Sequence, residues 1–144
     1  MQDELFRVAV GAVCIDKLRV LILLRRQDAE VYPGIWELPS GGIQQDENLE
    51  QALVREVREE TGIDVIVLEP VSCFIYLSKS RQRTLQINYR AHLTSSDSQV
   101  VRLSSEHTDA RWVNVDDIAD YPMTEAVVHA ISKAAEAERR WKKW

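Results

Sequence analysis

The sequence predicts an α/β layered sandwich built on a central mixed β-sheet. Apolar runs of strand length recur along the chain, and two helical patterns are interspersed among them. Its 144 residues, 45% of them hydrophobic, suit a single domain over 1–144 with a core large enough to fold unaided.

Phe6 to Ile15 (FRVAVGAVCI) is valine-rich and weakly alternating, as a strand is, and Gly11 within it marks a close backbone approach or a bulge. After the turn-like Asp16-Lys17-Leu18-Arg19, the continuously apolar Val20 to Leu24 (VLILL) reads as a second, largely buried strand. Arg25 to Gly34 is polar, ends in Pro-Gly and reads as a loop. Ile35 to Leu38 is a short strand stopped by Pro39, and Ser40-Gly41-Gly42 then lets the backbone turn tightly or approach a ligand.

The first helix is expected to start at Asn48, with Gln51 reaching back to form a capping box, and to end at Thr61 with Gly62 as a left-handed cap. Further strands are expected at Val65 to Leu68, Val71 to Leu77 and Thr84 to Leu93, the last two forming a hairpin through residues 78–82. Ser95 to Ser98 is a loop, Ala110 to Val115 a strand and Asp116 to Asp120 a short helical turn. Thr124 then caps a second helix carrying Val127, Val128, Ile131, Ala134 and Ala135 on one side. There is no internal repeat and no linker.

A net charge of −5 argues against broad binding to nucleic acid, and a protein this acidic needs a local cation to work on phosphates. No apolar run reaches the ~20 residues of a membrane span, and the acidic start MQDELFR lacks the apolar stretch of a signal peptide. Cys14 and Cys73 sit in apolar runs without metal-ligand or redox spacing and read as small core thiols. The expectation is a soluble cytoplasmic protein without a membrane partner. The tail Glu138 to Trp144 (ERRWKKW) reads as a fraying helix end on which Trp141 packs back.

The first helix carries the chemistry. At about 100° per residue, Leu49, Ala52, Leu53, Glu56, Val57 and Glu60 share one arc, with Glu59 on its edge. Three carboxylates at i,i+3 and i,i+4 spacing repel one another, the more so when partly desolvated, and a bound divalent cation removes both costs. Mg²⁺ favours such oxygen ligands together with substrate phosphates. Arg55 can pair with Glu59, while Arg58 reads as a solvated surface charge.

At this point the run Gly41 to Ile63 resembles the signature of the Nudix hydrolases through Gly41, Glu47, Arg55, Glu56, Val57, Glu59, Glu60, Gly62 and Ile63, with no signature position missing. Trp36-Glu37-Leu38-Pro39 is similar to the lead-in of MutT-like members, and Glu106-His107 followed by Arg111-Trp112-Val113 resembles a motif near the family's C-terminus. The resemblance implies the Nudix α/β/α sandwich. It also implies hydrolysis of a nucleoside diphosphate linked to another group, with Mg²⁺ or Mn²⁺ required.

Carried over by resemblance, Glu56, Glu59 and Glu60 are metal ligands, a backbone oxygen of Gly41 completes the shell, and Glu47 and Arg55 organise loop and helix. Glu106 is a candidate further ligand or general base, Glu59 the other contender for the base, and His107 reads as structural. The proline placed farther on in ADP-ribose pyrophosphatases is absent, Ser78 standing there, and Tyr76 is too early for the tyrosine of dinucleoside polyphosphate hydrolases. Gln44-Gln45-Asp46 departs from the common loop of the family. The favoured substrate is therefore a nucleoside triphosphate or an oxidised nucleotide.

An ADP-ribose or nucleotide-sugar pyrophosphatase is one alternative, and a non-catalytic nucleotide-sensing module is another. Tyr32, Trp36 and Phe74 are candidates to stack on a base, and Glu37 is a further candidate substrate contact. Arg25, Arg26, Arg81 and Arg83 are candidates to meet phosphates. A homodimer is compatible with the resemblance.

Overall fold

The structure is a computed structural model that describes residues 5–78, 80–95 and 99–141. The beginning of the acidic start, part of the loop expected at Ser95 to Ser98 and the end of the tail lie outside the described residues, as does position 79. Strand β1 (Arg7–Asp16) lies at the centre and turns into β2 (Arg19–Arg25) through Lys17 and Leu18, both at positive φ. Two residues at positive φ are what a tight type I′ hairpin requires.

The continuous apolar character of β1 and β2 follows from burial on both faces. Side chains alternate along a strand. Val10, Ala12 and Cys14 of β1 and Leu21 and Leu23 of β2 pack with Ala52, Leu53 and Val57 of helix α1 (Leu49–Thr61). Their alternates Val13, Ile15, Val20 and Ile22 pack with Ala130, Ile131, Ala134 and Ala135 of helix α2 (Glu125–Trp141). A strand covered on both sides has no polar face to show. The α/β/α sandwich is therefore encoded in these two strands.

The other strands are β3 (Trp36–Glu37), β4 (Ser40–Gly42), β5 (Val65–Leu77), β6 (Arg83–Leu93) and β7 (His107–Asn114). They assemble in the order β3-β2-β1-β6-β5, with β4 also on β1 and β7 also on β2. The β1–β6 pair is parallel and the rest are antiparallel, so the sheet is mixed. The β1–β6 register is unbroken from Arg7 to Cys14, so Gly11 marks close approach rather than a bulge. A Cβ there would collide with the side chains of Gln86 and Asn88.

Several expected boundaries shift once pairing partners are known. Ser40 to Gly42 forms a strand rather than a free turn, because its backbone finds partners on Ala9 to Gly11. The two strands expected around Pro70 are one strand whose register slips near that proline. Proline is tolerated there because β5 lies at the sheet edge. Strand β7 begins earlier, at His107, and Val115 opens the following 3-10 turn instead (Val115–Asp120).

Cys14 is buried as expected, and burial pushes its thiol up to about 12, whereas Cys73 is exposed on β5. Val128 is likewise exposed. The end of α2 is anchored through Trp141: Glu138 is buried against Arg90 and His92, and Trp141 lies edge-on to His92. Among the described residues no helix is long and apolar enough to cross a membrane.

The caps of α1 form as expected. Asn48 accepts the Gln51 backbone N–H at 2.8 Å, the Gln51 side chain accepts the Asn48 N–H at 3.0 Å, and Gly62 closes the helix at φ 72°. Removing that capping oxygen with Asn48→Ala should cost about 1 kcal/mol, read as a lower urea midpoint with an unchanged slope.

Candidate active site

Helix α1 changes character along its length, and its docking decides where the carboxylates go. Leu53 and Val57 anchor it in the core, which sets Glu56 and Glu60 beside β4. One Glu60 oxygen accepts the Ser40 backbone N–H at 2.7 Å. The Glu56 carboxylate lies against Gly41, where any Cβ would overlap it. Glycine leaves room there for the Glu56 carboxylate, which a side chain at position 41 would displace.

Arg55 binds the acidic end together. It donates to both Glu47 oxygens at 2.6 and 2.9 Å, to Glu56 at 2.8 Å, to Glu59 at 3.2 Å and to the Gly42 carbonyl at 3.0 Å. Its acidic partners raise its pKa, and in return it lowers that of Glu47. The expected Arg55–Glu59 pair is thus one spoke of a larger hub. Arg58 is exposed as expected but pairs with Asp64 at 2.7 Å.

Glu60 is the most perturbed carboxylate. Burial pushes its pKa up to about 9, with the charges of Glu37, Glu106 and Glu56 adding to the shift and the Ser40 N–H opposing it. Burial also raises Glu56, against the pull of Arg55. Desolvated carboxylates that sense one another mark a place where positive charge is wanted.

The segment before β7 supplies the rest of this wall. The N–H groups of Arg102 and Ser104 cap the carbonyls of Thr61 and Glu60 at 2.8 and 3.2 Å, so the segment is stapled to the exposed carbonyl end of α1. Glu106 and His107 are thereby delivered to Glu60. Ligand atoms of Glu60, Glu106 and His107 lie within 4.8 Å of one another, the one such group found among the described residues. Glu56 and Glu59 lie outside this tight group, each turned toward Arg55.

His107 is buried and pairs with Glu37 at 2.7 Å, and Arg25 meets the same carboxylate at 3.1 Å. Glu37, a candidate substrate contact, is therefore committed to an internal network. An open cleft of about 660 Å³ extends from Ser40, Gly41, Gly42 and Glu106 to Arg7, Arg25, Arg26, Tyr76, Thr84 and Gln86. This volume is in the range of small-molecule sites. The cleft lining mixes the basic Arg7, Arg25 and Arg26 with the acidic Asp28, Glu30 and Glu106.

The aromatic candidates separate. Trp36 is buried in the α2-facing core with its edge toward Tyr121, so it is a core residue rather than a stacking platform. Tyr32 is exposed and is not among the residues lining the cleft. Phe74 stacks on Tyr76, which lines it. Arg26 lines the cleft while paired with Asp28, Arg83 lies over the Phe6 ring, and Arg81 belongs to the β5–β6 turn. Arg7, Thr84 and Gln86 escaped notice because no local pattern marks strand residues that converge only when β1 and β6 pair.

Residues 5–133 match the family model described as the NUDIX domain. The chain belongs to the Nudix hydrolase family. A curated relative from Escherichia fergusonii, named nucleoside triphosphatase NudI, is 28% identical over 120 residues, covering 78% of this chain and 84% of the relative. The crystal structure of a MutT Nudix hydrolase from Burkholderia pseudomallei has a TM-score of 0.74 at 27% identity, covering 90% of this chain and 98% of that one. A C. elegans Ap4A hydrolase shares the fold, with a TM-score of 0.77 at 23% identity, covering 93% of this chain and 98% of that one.

The shift of Glu60 has a consequence for stability. Its carboxyl is harder to ionise in the folded Nudix domain than in the unfolded chain, whose value is near 4.5. The unfolded state therefore loses its proton first, and the metal-free protein should lose stability as pH rises from about 4.5 to about 9. Urea unfolding in chelator should show the advantage of Glu60→Gln over the parent growing across that window. A gap independent of pH would contradict the assigned burial of charge.

Proposed function

We propose that the chain is a Mg²⁺- or Mn²⁺-dependent pyrophosphohydrolase of nucleoside triphosphates, oxidised nucleotides included. The observation that carries this reading is the cleft, which brings Arg7, Arg25 and Arg26 together with Gly41, Gly42 and Glu106, beside the Glu56 and Glu60 carboxylates that lie against Gly41 and Ser40. The name nucleoside triphosphatase borne by the curated relative supports the substrate class.

The residues fit a hard divalent cation. Glu56, Glu60 and Glu106 offer carboxylate oxygens, Gly41 lets its main chain come close, and a cation that joins them offsets the repulsion felt most by the buried Glu60. Bound there, such a cation neutralises phosphate charge and lowers the pKa of the attacking water. Arg7, Arg25 and Arg26 orient the polyphosphate chain by charge-assisted hydrogen bonds. Glu59, more exposed than its neighbours and oriented by Arg55, accepts the proton of the attacking water. Arg55 keeps Glu47, Glu56 and the Gly42 carbonyl in register while it does so.

Tyr76, with Phe74 stacked behind it, supplies the aromatic surface of the cleft for the base. A cytoplasmic setting suits two free thiols, one of them exposed.

Glu59→Gln and Glu60→Gln should each lower turnover by more than about tenfold, a barrier increase above ~1.4 kcal/mol, while the far-ultraviolet circular dichroism stays that of the parent. Activity kept within that factor in a folded variant would remove the residue from the mechanism. Comparing kcat/KM for nucleoside triphosphates, oxidised nucleotides, ADP-ribose, nucleotide sugars and dinucleoside polyphosphates should rank a nucleoside triphosphate or oxidised nucleotide first.

A further inference from the structure

His107 carries a buried nitrogen for which the described residues provide no hydrogen-bond partner. Its side chain is 1% exposed, and Nδ1 is a buried polar atom without a hydrogen bond among the described residues. Leaving such a group unsatisfied in the interior is costly. The other ring nitrogen explains which way the ring is set. Nε2 lies 2.7 Å from the Glu37 carboxylate, which also accepts from Arg25, and a carboxylate in that role only accepts. Nε2 therefore carries the hydrogen of that contact, and in the neutral ring Nδ1 presents its lone pair.

That lone pair faces acid. Nδ1 stands 3.7 Å from a Glu60 oxygen, too far for a hydrogen bond, and Glu106 brings a third ligand atom within 4.8 Å. Three potential ligand atoms thus converge, and Nδ1 makes no hydrogen bond to either of the other two. Two atoms that each bind one cation at about 2.1 Å stand roughly 3 to 4 Å apart, and the Nδ1 to Glu60 separation falls in that interval. The Arg25–Glu37–His107 chain completes the pattern of ligating histidines, whose second nitrogen donates to a carboxylate that fixes ring and tautomer.

We propose that His107 Nδ1 is a nitrogen ligand that joins Glu60 and Glu106 in a mixed nitrogen and oxygen cation site, selective for Mn²⁺ over Mg²⁺. The inference rests on the cation-dependent reading above and narrows which cation the site is built for. An imidazole suits divalent transition metals, whereas Mg²⁺ prefers oxygen ligands and keeps its waters. Glu37 and Arg25 are positioning residues in this arrangement, acting on the cation through the ring.

The test is pulsed electron paramagnetic resonance of the full chain loaded with Mn²⁺ alone, without nucleotide, at substoichiometric metal. The parent should show ¹⁴N modulation from a directly bound imidazole, and His107→Gln should lose it while still binding Mn²⁺. In parallel titrations His107→Gln should weaken Mn²⁺ binding by about tenfold or more and Mg²⁺ binding by less than about threefold. Absence of ¹⁴N modulation in the parent overturns the proposal whether or not the variant folds, as does modulation that persists in His107→Gln. Equal weakening of both metals overturns the selectivity. Nitrogen-free Mn²⁺ binding with nucleotide hydrolysis would sink this inference and spare the proposed function; nitrogen ligation without hydrolysis of any nucleotide would do the reverse.

Discussion

The structure depends on keeping carboxylates close together at the edge of the core, with Glu60 buried and Glu106 open to solvent. Glu60 is buried beneath Ser40, Glu56 is pressed against Gly41, and Glu106 arrives on a segment stapled to the helix end. Left alone, such a group would push its own helix away from the sheet. Two devices oppose this within the chain. Arg55 spreads one guanidinium over Glu47, Glu56, Glu59 and the Gly42 carbonyl, and Glu60 remains protonated up to about 9. The Arg55 guanidinium does not reach the space between Glu60, Glu106 and His107, whose ligand atoms lie within 4.8 Å of one another.

The sandwich makes that arrangement possible. Because β1 and β2 are apolar on both faces, α1 and α2 each find a wall to pack on, and α1 is held firmly enough to carry charge at its end. Strand β4 then crosses beside β1 and offers Ser40 and Gly41 to the helix. The same central strands carry Arg7 and Arg25 to the lining of the cleft. The fold thus brings basic and acidic side chains to one cleft, as an anionic substrate bridged by a cation requires.

What could be read from the sequence was what local chemistry determines. The caps of α1 are set by Asn48, Gln51 and Gly62 within their own turns, so both ends of the helix were legible. The spacing of Glu56, Glu59 and Glu60 fixed the acidic arc, and the signature around it identified the family. What depends on distant partners was not legible. Ser40 to Gly42 became a strand only because β1 lies beside it, and Trp36 went into the core because α2 covers that face. Glu37 faces inward because Arg25 and His107 meet it through the β2 pairings. The unsatisfied Nδ1 of His107 was hidden for the same reason, since it is a property of the assembled site.

The central claim is that a divalent cation replaces a proton in this acidic group. Calorimetric titration of Mn²⁺ at pH 8, repeated in buffers of different ionisation enthalpy, counts the protons released on binding. Close to one proton should leave the parent, because Glu60 is held protonated up to about 9 and must ionise to ligate. Glu60→Gln should release far fewer. Tight Mn²⁺ binding without proton release, or equal release from parent and variant, would contradict the account.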